Sequence, residues 1–171
     1  FETSEQSEDH LNKNGESNNV LFLPAFNGLG APFWDSEIRG GFYGLTQDSS
    51  VEDMVTACFN SVAFQTKEIT SILEKYDIQV SSLLVDGGMV KNKTFCQILA
   101  NSLEKEILQP KNVESTALGA CIVAMCASGE SLNEIEISDV DIYKPNIENI
   151  KISKKSYKEW KSYLIHSMRS K

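Results

Sequence analysis

The sequence predicts an α/β fold with a parallel sheet, on three observations. Short apolar runs bounded by turn residues alternate with long stretches of helical periodicity. One such run, Leu84-Val85-Asp86-Gly87-Gly88-Met89-Val90-Lys91-Asn92, carries a strand into a paired glycine and then into a helix. The strands are separated by helices long enough to cross over a sheet, which implies parallel pairing and right-handed connections. Ligands of such sheets collect outside the carboxyl ends of the strands, and Asp86, Gly87 and Gly88 stand at that edge.

The elements follow in order. Residues 1–19 carry Glu2, Glu5, Glu8, Asp9 and Glu16 against Lys13, with almost nothing apolar to bury, and read as a flexible acidic loop or linker. Strands are expected at 20–23 and 41–43. The clearest helix covers 51–76: Ser50 with Asp53 makes a start like a capping box. Val51, Met54, Val55, Cys58, Phe59, Val62, Ala63, Ile69, Ile72, Leu73 and Tyr76 are expected on one buried face. A strand at 83–85, a helix at 93–103, a strand at 106–108 ended by Pro110 and a helix at 116–127 complete the unit through residue 147, with Gly129 placed to cap the last helix. In the tail, 148–171, Tyr157, Trp160, Leu164 and Met168 recur at helical spacing, so a helix docks one apolar face while Lys151, Lys154, Lys155, Lys158 and Lys161 stay wet. A basic amphipathic helix can also lie on a membrane or an acidic partner.

Composition bounds the function. With 41% apolar and 23% charged residues the chain has the make-up of one compact globular unit. A formal charge of −8 argues against nucleic acid, whose phosphates are held by basic stripes. No apolar run approaches the ~20 residues that span a bilayer, so a soluble protein is expected. Cys58, Cys96, Cys121 and Cys126 form no C-x-x-C pair and all fall in helical segments; buried reduced thiols are expected, which fits a cytoplasmic location. His10 and His166 have no acidic or thiol neighbours at metal-ligand spacing, so no zinc site is expected. Asn92-Lys93-Thr94 satisfies the glycosylation sequon, which is without meaning in a cytosolic chain.

The glycine pair carries the chemistry. Lacking Cβ, such residues take positive φ and let a flat ring or ribose lie against the main chain, while the following helix offers unpaired N–H groups. The same residues also make an ordinary tight turn at the end of a strand. Elsewhere, Gly28 and Gly30 spell G-x-G, but Phe33 stands where a dinucleotide fingerprint has its third glycine, so that loop reads as rigid scaffold with Trp34 as its apolar anchor. Gly119, early in its helix, costs ~1 kcal/mol relative to alanine, so a close neighbour or a ligand is expected against it. Thr116 reads as a hydroxyl in the cap region.

Taken together, Pro24-Ala25-Phe26-Asn27-Gly28-Leu29-Gly30-Ala31-Pro32-Phe33-Trp34-Asp35, Arg39-Gly40-Gly41-Phe42-Tyr43-Gly44-Leu45-Thr46, Val85-Asp86-Gly87-Gly88 and Ser115-Thr116-Ala117-Leu118-Gly119-Ala120 form an ordered set over residues 20–147. This set resembles the FGGY carbohydrate kinases, and among them the glycerol kinases. The resemblance implies an actin-like ATPase (ribonuclease H-like) fold, built in this family as two domains with nucleotide and sugar in the cleft between them. The chain matches the later part of the second domain. It also implies transfer of the ATP γ-phosphate to glycerol, giving glycerol 3-phosphate, with Mg²⁺ held outside this chain.

By the same resemblance Gly88 and Asn92 contact the adenosine part of ATP, with Gly87 and Asp86 shaping the turn. The phosphate loops, the catalytic carboxylate and the polyol-binding residues of the family lie upstream, so no residue here is expected to be catalytic. A pentulose-type FGGY kinase and a non-catalytic nucleotide-binding subunit stay open as alternatives. The helix 51–76 departs from the family signature at Cys58, where a small or β-branched residue is usual, and at Asn60, where an acidic residue or glutamine is usual. Opening on Phe1, the chain reads as a piece of a longer protein whose N-terminal kinase domain is its partner, with homo-oligomers common in the family. On its own it is expected to expose a sheet edge and show no kinase activity.

Overall fold

The computed structural model describes residues 9–11, 19–111, 115–129 and 139–169. Strands β1 (Leu21–Leu23) and β2 (Gly41–Tyr43) pair antiparallel, with Leu21 opposite Tyr43 and Leu23 opposite Gly41. The loop between them folds back on itself: Leu29 and Asp35 exchange both backbone hydrogen bonds, at 2.8 and 3.0 Å. Helix α1 (Val51–Lys75) begins with the expected capping box. The Ser50 N–H donates to the Asp53 carboxylate at 2.8 Å, and the Asp53 N–H donates to Ser50 Oγ at 3.2 Å.

Strand β3 (Ser82–Leu84) pairs parallel with β4 (Glu106–Pro110), Leu83 opposite Ile107, and helix α2 (Lys93–Leu103) is the crossover between them. A short 3₁₀ turn, Gly88–Lys91, precedes α2. Helix α3 (Ser115–Ala127) follows β4, and strand β5 (Val140–Tyr143) returns antiparallel along β4. Helix α4 (Ile147–Arg169) closes the chain.

Among the described strands parallel pairing therefore holds for β3 and β4 alone. The β1–β2 and β4–β5 pairs are antiparallel, and β2 and β3, though separated by α1, lie in different sheets. Strand β5 escapes the sequence reading because Val140-Asp141-Ile142-Tyr143 carries a charge and follows a polar stretch, so its period is too short to register.

Two cores flank α1. The first gathers Leu21, Leu23, Ala25, Ile38, Phe64, Trp160 and Leu164; the second gathers Ala63, Val90, Phe95, Cys96, Leu99 and Ile107. The single apolar stripe expected for this helix is corrected accordingly. Val51 and Tyr76 are exposed, whereas Phe64 and the carboxylate-bearing Glu68 are buried, because the helix is covered on two sides by different layers. Glu68 is accommodated by the Tyr157 hydroxyl, which donates to it, and by Lys161 Nζ at 2.7 Å.

Helix α4 docks as expected, with Trp160 and Leu164 buried and Tyr157 and Met168 packed around them. The linker expected over 1–19 falls mostly outside the described residues; within it Leu11 is buried and His10 Nδ1 lies 2.7 Å from Glu52 Oε1. All four cysteines are free, and Cys96 is buried. Cys121 and Cys126, expected to be buried, are exposed, since no side chain of α3 reaches either core.

Candidate functional site

The site is built where β3 ends. The parallel ladder continues one bond past the strand, Val85 N–H to the Leu108 carbonyl at 3.0 Å, and the chain then turns through Asp86 and Gly87. Gly87 sits at φ +108°, a region L side chains rarely adopt, so glycine is required there. Gly88 has no positive φ and opens the 3₁₀ turn instead, so the expectation that it too needs a left-handed backbone is corrected. A Cβ added at either glycine would meet nothing within 4 Å. Two successive residues thus present bare backbone on an exposed edge.

Asp86 holds this turn from within and without. Its Oδ1 accepts the N–H of Gly87 at 2.7 Å, and its Oδ2 accepts the N–H of Ser115, the first residue of α3, at 3.0 Å. The Ser115 side chain is the largest cause that keeps the Asp86 carboxyl below its usual range; burial opposes it, and the two backbone amides and the charge of Lys91 add to it. Thr116, expected near the cap, lies inside α3 and is exposed. The start of that helix is served by a carboxylate 29 positions back in the chain. No local pattern would announce such a cap, although Ser115 did stand in the motif read from the sequence.

Asn92 is placed differently from the other three residues. It is buried and caps α2, its Oδ1 accepting the Phe95 N–H at 2.9 Å while its own N–H donates to the Met89 carbonyl at 3.2 Å. Among the described residues its Nδ2 has no hydrogen-bond partner. Asp86, Gly87 and Gly88 line a cavity of about 360 Å³; Asn92 does not. Val62, Leu83, Leu99 and Ile107 make the floor of this cavity and Met89 part of its wall. Its size is in the range of small-molecule clefts, ~300–1,000 Å³. An apolar floor beneath bare peptide edges suits a flat heteroaromatic ring better than phosphate groups.

Two further expectations change. Trp34 is 81% exposed rather than an anchor, and the loop is held instead by buried Leu29 and Ile38. Nothing lies within 4 Å of a Cβ placed on Gly119, so the close neighbour expected there is absent among the described residues. Among those residues no three His, Cys, Asp or Glu side chains come together where a metal ion could be held. Among the described residues no helix is long and apolar enough to cross a membrane.

The sequence profile of the FGGY family of carbohydrate kinases, C-terminal domain, matches residues 2–128. A glycerol kinase of Enterococcus casseliflavus is 42% identical over 139 residues, covering 80% of this chain and 28% of that protein. The crystal structure of Plasmodium falciparum glycerol kinase with ADP superposes with a TM-score of 0.83 at 29% identity, over all of this chain and 35% of the other. A ligand-bound xylulose kinase from Lactobacillus acidophilus gives 0.81 at 26% identity, over 98% of this chain and 35% of its own. The chain thus spans about a third or less of the length of these proteins.

Proposed function

The chain belongs to the FGGY family of carbohydrate kinases, and from that premise we propose that it forms the nucleotide-binding part of the C-terminal domain of a glycerol kinase. In this reading the parent protein transfers the γ-phosphate of ATP to glycerol, giving glycerol 3-phosphate. The observation that carries it is the turn at 86–88. Gly87 and Gly88 leave the main chain uncovered beside an apolar-floored cavity, and among the described residues nothing lies within 4 Å of a Cβ placed on either.

Each residue has a distinct part. Gly88 gives the adenosine its seat, and Gly87 supplies the left-handed turn that aims it. Asp86 locks the turn through two amides, leaving its carboxylate engaged with protein rather than nucleotide. Asn92 offers Nδ2 to the nucleotide while Oδ1 stays with the helix. Mg²⁺, if it accompanies the triphosphate, is held by the phosphates and by residues outside this part; its chemistry is to spread charge on the transferring group. The N-terminal kinase domain closes the cleft and brings the carboxylate that takes the glycerol proton. A cytoplasmic location and self-association into oligomers belong to the same proposal.

A pentulose kinase is the second reading, favoured by the likeness to the xylulose kinase. Coupled assays on the full-length protein separate the two. Glycerol is expected to be turned over with higher kcat/KM than any ketopentose; equal or better turnover of D-xylulose overturns the first reading in favour of the second.

A further inference from the structure

Cys96 joins the nucleotide turn to the helix behind it. Buried in the second core and one turn along α2 from Asn92, it holds two carbonyls at once. Its backbone N–H donates to the Asn92 carbonyl at 3.2 Å, and its thiol donates to the Val90 carbonyl at 3.2 Å. Val90 belongs to the 3₁₀ turn that Gly88 opens and is itself buried, so its carbonyl is met by protein rather than by water. A second acceptor near the thiol, Gln109 Oε1, is farther away at 3.9 Å and already accepts the Tyr143 hydroxyl at 2.9 Å. The S–H therefore goes to Val90. Burial, with the charge of Asp141 adding to it, pushes the thiol up to about 11, so the donor proton stays in place at neutral pH.

We propose that Cys96 is a positioning residue for the nucleotide: its two hydrogen bonds fix the backbone between Val90 and Asn92, and with it the direction in which Asn92 Nδ2 and the Gly88 main chain face the ligand. This rests on the reading of 86–92 as the adenosine seat. Gly88 has no side chain, and a Cβ there would meet nothing within 4 Å, so the turn is not held from its exposed side. Asp86 fixes its start through the Gly87 amide. Its end is tied by the Asn92 N–H to the Met89 carbonyl at 3.2 Å and, from the core, by the thiol. A four-residue 3₁₀ turn has few hydrogen bonds of its own and those are poorly aligned. Freed from the thiol, the 90–91 peptide can rotate and carry Lys91 and Asn92 with it. Asn92 Oδ1 is already committed to the Phe95 amide, so where Nδ2 points depends on the backbone at 92.

The test compares variants of the full-length protein, each checked for folding by circular dichroism. Cys96→Ala removes the donor, and Cys96→Val is a second donor-free variant that keeps the volume. Cys96→Ser retains a donor, and Leu103→Val trims the same core at the far end of α2, away from the turn. In the donor-free variants the KM for ATP is expected to rise about threefold to tenfold, the worth of one hydrogen bond, with kcat and the KM for glycerol nearly unchanged. Cys96→Ser is expected to stay within about twofold of wild type, and Leu103→Val to leave the KM for ATP alone. Without nucleotide, hydrogen exchange at the Asn92 and Cys96 amides is expected to quicken about threefold to tenfold in Cys96→Ala but not in Leu103→Val. A folded donor-free variant with the wild-type KM for ATP overturns the proposal. So does a Cys96→Ser protein as impaired as Cys96→Ala, or a Leu103→Val protein with the same rise, because Cys96 is then packing alone. Wild-type protein that binds ATP while the variants match it removes this inference only; wild-type protein that does not bind ATP overturns the nucleotide reading and this inference with it.

Discussion

Trp160 donates its indole N–H to the main-chain carbonyl of Phe22 at 2.9 Å, joining the last helix to the first strand across 138 residues. The ring is 1% exposed and packs on Phe64 and Tyr157. One side chain thus closes the first core and satisfies a strand carbonyl.

Trp160→Ala is expected to destabilise the protein by about 3–5 kcal/mol, the range for large aromatic truncation in a core. Trp160→Phe keeps most of the packing and loses the hydrogen bond, so a smaller loss of about 1–2 kcal/mol is expected. Urea unfolding of the full-length variants measures both. A Trp160→Ala variant within 1 kcal/mol of wild type would mean that α4 is not integral to the core.

Gly88→Val separates ligand contact from backbone strain. Because Gly88 has no positive φ and open space around it, valine there should fold normally and block only what lies against the turn. The expected result is a raised KM for ATP with the KM for glycerol nearly unchanged. Gly87→Val, by contrast, forces a β-branched residue to φ +108° and should cost stability as well as affinity. A folded Gly88→Val protein with wild-type affinity for ATP would reduce the glycine pair to a structural turn.

Asn92 allows the two uses of one amide to be pulled apart. Asn92→Ala removes the helix cap and is expected to cost about 0.5–2 kcal/mol of stability. Asn92→Asp keeps an oxygen for the Phe95 amide, so stability should be retained, but it replaces the Nδ2 donor with a second oxygen. ATP affinity is then expected to fall by up to about tenfold, the worth of one hydrogen bond. If both variants bind ATP as wild type does, Asn92 is a cap and nothing more.

The tie between Asp86 and Ser115 has a defined pH window. The folded-state carboxyl lies below its ordinary value, so its stabilising contribution is complete above the ordinary value, near 4, and is lost as pH falls through the lower folded one. Asp86→Ala should therefore be less stable than wild type at pH 6, and the gap should close only in the acid region. Thermal melts of both proteins from about pH 6 to pH 2.5 test the sign. A gap that widens on acidification would contradict it.

Where the chain announced itself locally, sequence and structure agree. Ser50 and Asp53 cap α1 reciprocally, the helix over 93–103 has the expected bounds, and Trp160 and Leu164 point where their spacing requires. The glycine turn was legible because only special backbone needs such residues, although φ singles out Gly87 rather than Gly88. What failed was long-range. Phe64 and Glu68 are buried because a second layer covers α1, and no periodicity within one helix reveals how many neighbours it has. Asp86 caps a helix from another loop, and the orientation of Asn92 under the turn depends on a 3₁₀ segment that four residues cannot announce.

Ala63 and Phe64 are consecutive, yet the first belongs to one core and the second to the other. Helix α1 is in effect a shared wall: about 100° of arc separates the two side chains, so any roll of the helix that relaxes one compartment compresses its neighbour. Neither compartment can be repacked by drift alone, and a volume change in one has to be answered across the wall. Heated, the two halves have no seam along which to part, and calorimetry should record them as one peak.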